Sequence, residues 1–427
     1  MLVKEIIKTV EIIPDPYVRA VTYAKIGERL AKARDKSYKT AFLKAMESAK
    51  AIEDPVKTLR ALLSVGYSMG RAGLKSSKRI YSQVLEDSRL LPQPQRDVLM
   101  RLASSYMLGL GEVGEAITYA LEISDQELRD ETLLTIIRFN TRRIERESIK
   151  VAYRLRRSKM ALEYMEKEPY RSRAVLEIIK SHIALGSYET AVYYLNLITE
   201  PEWAKQAFKE VLFLLRDKGV LDHLLDSLES VAETFVERFG EGFIPELALS
   251  FALAGKGAEA VRLLRRLESI EEMKRIAMQL LELDGSVVGE FVSALNEEEA
   301  AVVGKALMNA ILENPKLGND EIVNAIGSST QSEEVWVKVA RYYSLRGDLA
   351  LVRKIARVIK TPELRSVVMA DIAHRLLKEG KVEEAIDAAL EVRDKKFSSI
   401  IVAEILINAL EMELKEKVRT WSASESS

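Results

Sequence analysis

The chain has 427 residues, 48% hydrophobic and 30% charged, with 64 Lys and Arg against 65 Asp and Glu, three His and no Cys. That is too apolar for a disordered chain and too charged for a membrane bundle. Without cysteine there is no disulfide framework, thiolate metal site or thiol nucleophile, and a net charge of -1 argues against a generic nucleic-acid coat, leaving only a local patch to attract phosphate.

Apolar residues recur at spacings of three and four almost throughout, and no alternating β-branched run is bounded by turn residues, so the chain reads as all-α. Residues 1–14 mix charged and apolar positions without the apolar core of a secretory signal; they read as an amphipathic capping helix of a soluble, cytoplasmic protein. No later stretch approaches ~20 uncharged apolar residues. Dense charge of both signs with no Cys also resembles the composition of a heat-adapted, thermophile protein.

Asp15-Pro16, Asp54-Pro55 and Gln93-Pro94 follow one another at 39-residue intervals, and Glu168-Pro169, Glu200-Pro201 and Thr361-Pro362 repeat the signal. Proline at the first helical position gives up no hydrogen bond, and Asp or Thr before it caps a free N–H, so each pair marks a helix start. Glycine supplies the second mark. Gly111, Gly186, Gly255, Gly347 and Gly380 are each followed five residues later by Ala116, Ala191, Ala260, Val352 and Ala385, and fifteen residues later by Gln126, Pro201, Ile270, Pro362 and Lys395. One short helix with a small residue at its crossing point is being repeated, and the fifteenth position is the next helix start. The pattern lapses over 220–253 and 285–330, where the spacing places no helices. Residues 1–410 therefore form a repeat array, and 411–427 a helical extension and polar tail. In the last helix Ile400, Ile401, Ile405, Leu406 and Leu410 cover more surface than one neighbour needs; a buried final helix or a self-association face both fit.

The units Tyr23, Ile26, Gly27, Leu30; Leu62, Val65, Gly66, Met69, Gly73; and Trp336, Val339, Ala340, Tyr343, Gly347, with second-helix segments Gly186 to Ala191 and Gly380 to Ala385, resemble the tetratricopeptide repeat (TPR). The loop after the second helix is about two residues shorter than that family's. The resemblance implies a right-handed superhelical α-solenoid of about twelve helical hairpins, at ~34 residues per pair. It also implies that first helices line a concave groove. Carried over unit by unit, the groove positions are Arg60, Tyr67, Arg71, Arg101, Arg173, Lys180, Lys209, Arg216, Arg341, His374 and Lys378, with Glu28 and Glu334 as acidic exceptions.

No constellation for catalysis appears, so the chain reads as a non-enzyme needing no cofactor or metal. His182, His223 and His374 lack metal-ligand spacing, Gly255-Lys256 and Gly304-Lys305 lack the remainder of a phosphate loop, and Glu297, Glu298 and Glu299 suit a helix start. A second basic feature runs over 142–173. Arg142, Arg143, Arg146, Lys150, Arg154, Arg156, Arg157, Lys159, Lys167, Arg171 and Arg173 stand there among Tyr153, Tyr164 and Tyr170, whereas 281–320 is acidic. Two partners fit these surfaces: an acidic peptide or helix of another protein held in the basic groove, or nucleic acid on the strip, which would show steep salt dependence. The strip reads equally as a solvated helix face.

Overall fold

The computed structural model describes residues 3–144 and 151–424, with side chains for 3–142 and 151–411. It divides into two units, Met1–Val231 and Ala232–Ser427. Unit 1 opens with α1 (Val3–Thr9) and continues as hairpins α2 (Pro16–Lys32) with α3 (Tyr38–Lys50), α4 (Pro55–Arg71) with α5 (Ser77–Ser88), α6 (Gln93–Leu110) with α7 (Val113–Leu121), α8 (Gln126–Ile144) with α9 (Val151–Glu163) and α10 (Tyr170–Ala184) with α11 (Tyr188–Leu195), then α12 (Pro201–Asp217). The boundary falls within α13 (Leu225–Phe239). Unit 2 comprises α14 (Ile244–Leu253) with α15 (Gly257–Arg265), α16 (Ile270–Leu283) with α17 (Val288–Ser293), α18 (Glu297–Glu313) with α19 (Asp320–Ser328), α20 (Glu333–Arg346) with α21 (Leu349–Val358), α22 (Pro362–Lys378) with α23 (Val382–Leu390), and α24 (Lys395–Ser424). In each unit every first helix packs on its hairpin partner and on the next first helix. That is a helical-hairpin solenoid, as the repeats imply.

Local chemistry explains the period. Asp15 Oδ1 accepts the backbone N–H groups of Tyr17 and Val18 at 2.7 and 3.0 Å, and Asp54 Oδ1 those of Val56 and Lys57 at 2.8 and 3.2 Å, each just ahead of a first-position proline. At the other end of a first helix, Gly111 adopts φ +83°, so its own N–H and that of Glu112 return to the carbonyls of Leu108 and Met107. Ala116, Ala191, Ala260, Val352 and Ala385 are all fully buried at the crossings. At Gly27 a side chain would meet the Phe42 ring at 3.0 Å, so the absent Cβ sets how closely α2 and α3 approach. The amino-terminal segment packs on α2: Ile7 of α1 and Val10 of the 3-10 turn Val10–Ile12 that follows it are buried, and the Tyr23 hydroxyl donates to the Ile7 carbonyl.

Where the sequence pattern lapses, helices are present but entered differently. The 3-10 turns Leu221–Leu224, Glu241–Phe243, Gly285–Val287 and Pro315–Leu317 lie there. Asn296 and Asn319 cap α18 and α19 in place of the Asp-Pro signal, the former in a capping box with Glu299.

One device ties hairpin to hairpin in both units. An acid near the start of a first helix accepts backbone N–H groups of the loop before the next first helix. Asp97 takes those of Ser124 and Asp125, both at 2.9 Å, and fully buried Asp130 takes those of Glu166 and Lys167 at 2.9 and 2.6 Å. Glu333 takes those of Lys360 and Thr361 at 2.7 and 3.0 Å; hydrogen bonds from Thr361, side chain and backbone, and from the Lys360 N–H hold its carboxyl below the usual range. Loop donors that would otherwise be orphaned are satisfied by charge-assisted bonds.

Candidate functional site

The first helices of unit 1 are joined along one face by ion pairs that step from repeat to repeat. Arg71 on α4 reaches Glu28 on α2 at 3.1 Å, Arg101 on α6 reaches Glu131 on α8 at 3.1 Å, Arg138 on α8 reaches Glu177 on α10 at 3.3 Å, and Lys180 on α10 reaches Glu210 on α12 at 2.7 Å. Tyr67 stacks on Tyr106 of α6 with centroids 4.6 Å apart, and the Arg71 guanidinium stands 5.9 Å from the Tyr67 ring. Arg173 lies over Trp203 at 5.3 Å, and Arg216 over Phe213 at 4.6 Å.

The expected groove residues are thus placed unequally. Arg71, Arg101 and Lys180 each carry an acidic partner from a neighbouring first helix, while Arg60 and Lys209 are exposed. In unit 2, Arg341 and Lys378 are exposed. His374 lies 3.3 Å from Glu404 of α24, and Glu334 pairs with Lys305. Burial raises the Asp371 carboxyl against the opposing fields of Arg341 and His374.

Between α6, α8 and α10 the face opens into a hollow of about 790 Å³. Leu108 and Phe139 supply apolar wall; Arg138, Arg142 and Lys180 supply positive charge against one acid, Glu177, among the described lining residues, with Lys180 also held by Glu210. The hollow brings a groove residue, Lys180, together with a strip residue, Arg142. Arg138 and Glu177 were not singled out from the sequence. Their signal was opposite charge at a separation of 39 residues, the interval of the first three prolines.

The rest of the strip does not share one surface. Arg154 turns inward and is only 6% exposed, whereas Arg156 is exposed. Arg157 lies 5.3 Å from the Tyr153 ring and would meet a side chain at Gly114 of α7, and Lys159 lies over Tyr194 of α11 at 5.2 Å. Arg171 donates to the Leu197 carbonyl at 2.9 Å. Arg146, Lys150 and the Arg143 side chain lie outside the described residues. Beside this helix His182 is 5% exposed, and among the described residues neither ring nitrogen has a hydrogen-bond partner. Burial, with Lys159 adding to it, pushes its pKa down to about 4, so the ring is neutral at neutral pH.

Among the described residues no group of His, Asp and Glu could hold a metal ion, and no helix is long and apolar enough to cross a membrane.

Hairpins in this register, stacked first helix on first helix, define a TPR-like α-solenoid. No protein-family model matches the chain, and no curated protein matches it. Solved structures similar to it include Ton1535 from Thermococcus onnurineus NA1 (12% identity, TM-score 0.27, 94% of each chain covered). The pentatricopeptide repeat protein PPR10 from maize is similar at 13% identity and TM-score 0.27, over 95% of this chain and 66% of that one. The APC/C hetero-tetramer Cut9-Hcn1 is similar at 14% identity and TM-score 0.21, over 93% and 91%. The fold stands on the helix packing itself.

Proposed function

We propose that the chain is a noncatalytic scaffold that holds an acidic peptide or helix of a partner protein against the first-helix face of unit 1, seated at the hollow between α6, α8 and α10. The observation that carries this reading is the clustering of Arg138, Arg142 and Lys180 around the apolar wall of Leu108 and Phe139. A guanidinium has five N–H donors, so the Nε bond from Arg138 to Glu177 leaves its terminal nitrogens for an incoming carboxylate. Phe139 and Leu108 would take an aliphatic or aromatic anchor, as in interfaces where a few buried apolar groups carry most of the affinity. Arg60, Tyr67 and Arg71 extend the same face toward the first repeats, and Lys209 and Arg216 toward α12. The divergence of Arg154, Arg156, Arg157 and Lys159 favours this reading over nucleic acid on the strip, because a phosphate backbone needs its cations in one row.

Fluorescence polarisation with a labelled Glu-rich peptide carrying leucine and tyrosine anchors, beside a single-stranded oligonucleotide, tests the proposal. The peptide should bind and keep much of its affinity as salt is raised, and Arg138→Glu with Arg142→Glu should weaken it at least about tenfold. Binding of the oligonucleotide alone, with a steep log-linear salt response, would replace this reading with the nucleic-acid one.

A further inference from the structure

The acid ties set the register of neighbouring repeats in unit 1. Asp97 and Asp130 stand 33 residues apart, and the loop amides they hold, Ser124 with Asp125 and Glu166 with Lys167, stand 42 apart, so α6 maps onto α8 and α7 onto α9 by those shifts. Gly111, Gly186 and Gly219 carry the same register on to α10, α11 and α12. One buried position near the end of successive first helices is then held by Met107, Asn140, His182 and Leu215, and the fully buried crossing point of successive second helices by Ala116, Ser158 and Ala191. The position after it reads Ile117, Lys159, Val192. The repeats on either side are apolar at all three places; polar residues enter only where α9 packs on α8 and α10.

The buried polar groups at this junction lack partners as well. Among the described residues the Asn140 amide, the Ser158 hydroxyl and both ring nitrogens of His182 have no hydrogen-bond partner, and Arg154, one turn before Ser158, is buried on the same helix. Lys159 Nζ lies 5.2 Å and the His182 ring 5.4 Å from the centroid of the Tyr194 ring of α11. A polar group buried in this way gives up its bonds to water and gains none, so releasing α9 restores hydration where releasing α7 or α11 exposes apolar surface. Phe139 and Ser181 of the hollow immediately precede Asn140 and His182, which puts the polar junction behind the hollow. We propose that α9 is a releasable helix, lifting from α8 and α10 by local opening while α7 and α11 stay seated. The opening does not depend on what the hollow binds.

Native-state hydrogen exchange of the full chain, read segment by segment, tests the release. Amides of α9 should exchange at least about tenfold faster than those of α7 and α11. Asn140→Met, Ser158→Ala and His182→Leu together install the residues of the neighbouring repeats; they should slow exchange in α9 at least about tenfold and leave α7 and α11 within about twofold. The chain has no cysteine, so Ser158→Cys, a near-isosteric change at a fully buried position, gives a second reading. Its thiol should be modified by an alkylating reagent under native conditions, and more slowly once Asn140→Met and His182→Leu are added. Protection of α9 equal to that of α7 and α11 overturns the proposal, as does a triple substitution that leaves α9 exchange unchanged. Should the triple variant fail to fold, the comparison of the three helices in the unsubstituted chain decides by itself.

Discussion

Both units join first helix to first helix by ion pairs, Lys305 to Glu334 among them in unit 2, but they differ in how their second helices pack. In unit 1 the first helices carry a series of such ties, partly exposed: Glu28 to Arg71, Arg101 to Glu131, Arg138 to Glu177, Lys180 to Glu210, and the Tyr67 stack on Tyr106. In unit 2 the second helices α15, α17 and α19 pack on one another in a row. α17 is only six residues long, and at Gly257 an added Cβ would sit 2.6 Å from the backbone of Glu290 and Phe291. Backbone contact of that kind fixes a repeat firmly and leaves no room for anything else. Charged side chains spanning a surface hold a repeat loosely, yet they leave a polar face with a hollow in it. The contrast supports placing recognition in unit 1 and rigidity in unit 2.

The most damaging way to test that division is Gly257→Val. The added atoms strike main chain, which cannot swing aside as a side-chain tip can, so the expected cost is about 3 kcal/mol or more. For a unit of this size that is roughly a 6–12 °C fall in melting temperature. Hydrogen exchange should quicken in α15, α16 and α17 while α2 to α8 keep their protection. A melt within a degree of the unsubstituted chain would show that α15 and α17 can separate freely.

Acid should separate the units next. His182 titrates near 4 in the folded chain against an ordinary 6.5, so between those values the unfolded chain takes up a proton that the folded one refuses. Unit 1 should therefore lose stability as pH falls from about 6.5 to 4, by up to about 3 kcal/mol, and His182→Leu should flatten that slope. In unit 2, hydrogen bonds from Arg265 at 3.1 and 2.9 Å hold the Glu299 carboxyl below its ordinary 4.5. Its contribution is complete above that value and is lost only as pH falls below 4.5 through the lowered folded pKa. Hydrogen exchange at pH 7 and pH 5 should find α8, α9 and α10 weakened at the lower pH and α15 to α18 unchanged; equal weakening would mean that His182 is not the acid-sensitive group.

Much of the architecture was legible because the repeat is marked by residues whose backbone chemistry is strict. Gln126, Pro201, Ile270, Pro362 and Lys395, set by counting fifteen from a glycine, are the first residues of α8, α12, α16, α22 and α24, and all five glycines have positive φ. The start of α18 was legible in Glu297, Glu298 and Glu299, whereas α13, α14, α17 and α19 escaped because their starts use 3-10 turns or an Asn cap, which carry no such strict marker. The site was harder for a different reason. An ion pair between repeats joins residues 30, 39 or 43 apart, depending on loop length, so Arg101, Arg138 and Arg71 looked unaccompanied in a search that stayed within one helix. Arg154 escaped too: charge alone does not distinguish a basic residue on the inner side of α9 from Arg156 on its outer side.

The smallest expected effect is the one that most sharpens the contrast. Arg101 and Glu131 meet at 3.1 Å with side chains 45% and 43% exposed, so water screens their attraction and both lose side-chain freedom in meeting. Exposed pairs of this kind contribute about 0–1 kcal/mol, and Arg101→Ala should change the stability of unit 1 by no more than that. The same substitution removes one positive charge from the face that is proposed to receive an acidic ligand, and it should weaken the labelled peptide more at low salt than at high salt. A small loss of stability together with a salt-sensitive loss of binding means that the charges serve recognition and only incidentally hold the repeats. If Arg101→Ala instead cost more than about 2 kcal/mol, the ion-pair row would be structural after all, and the first-helix face of unit 1 would differ from the packed second helices of unit 2 in material rather than in purpose.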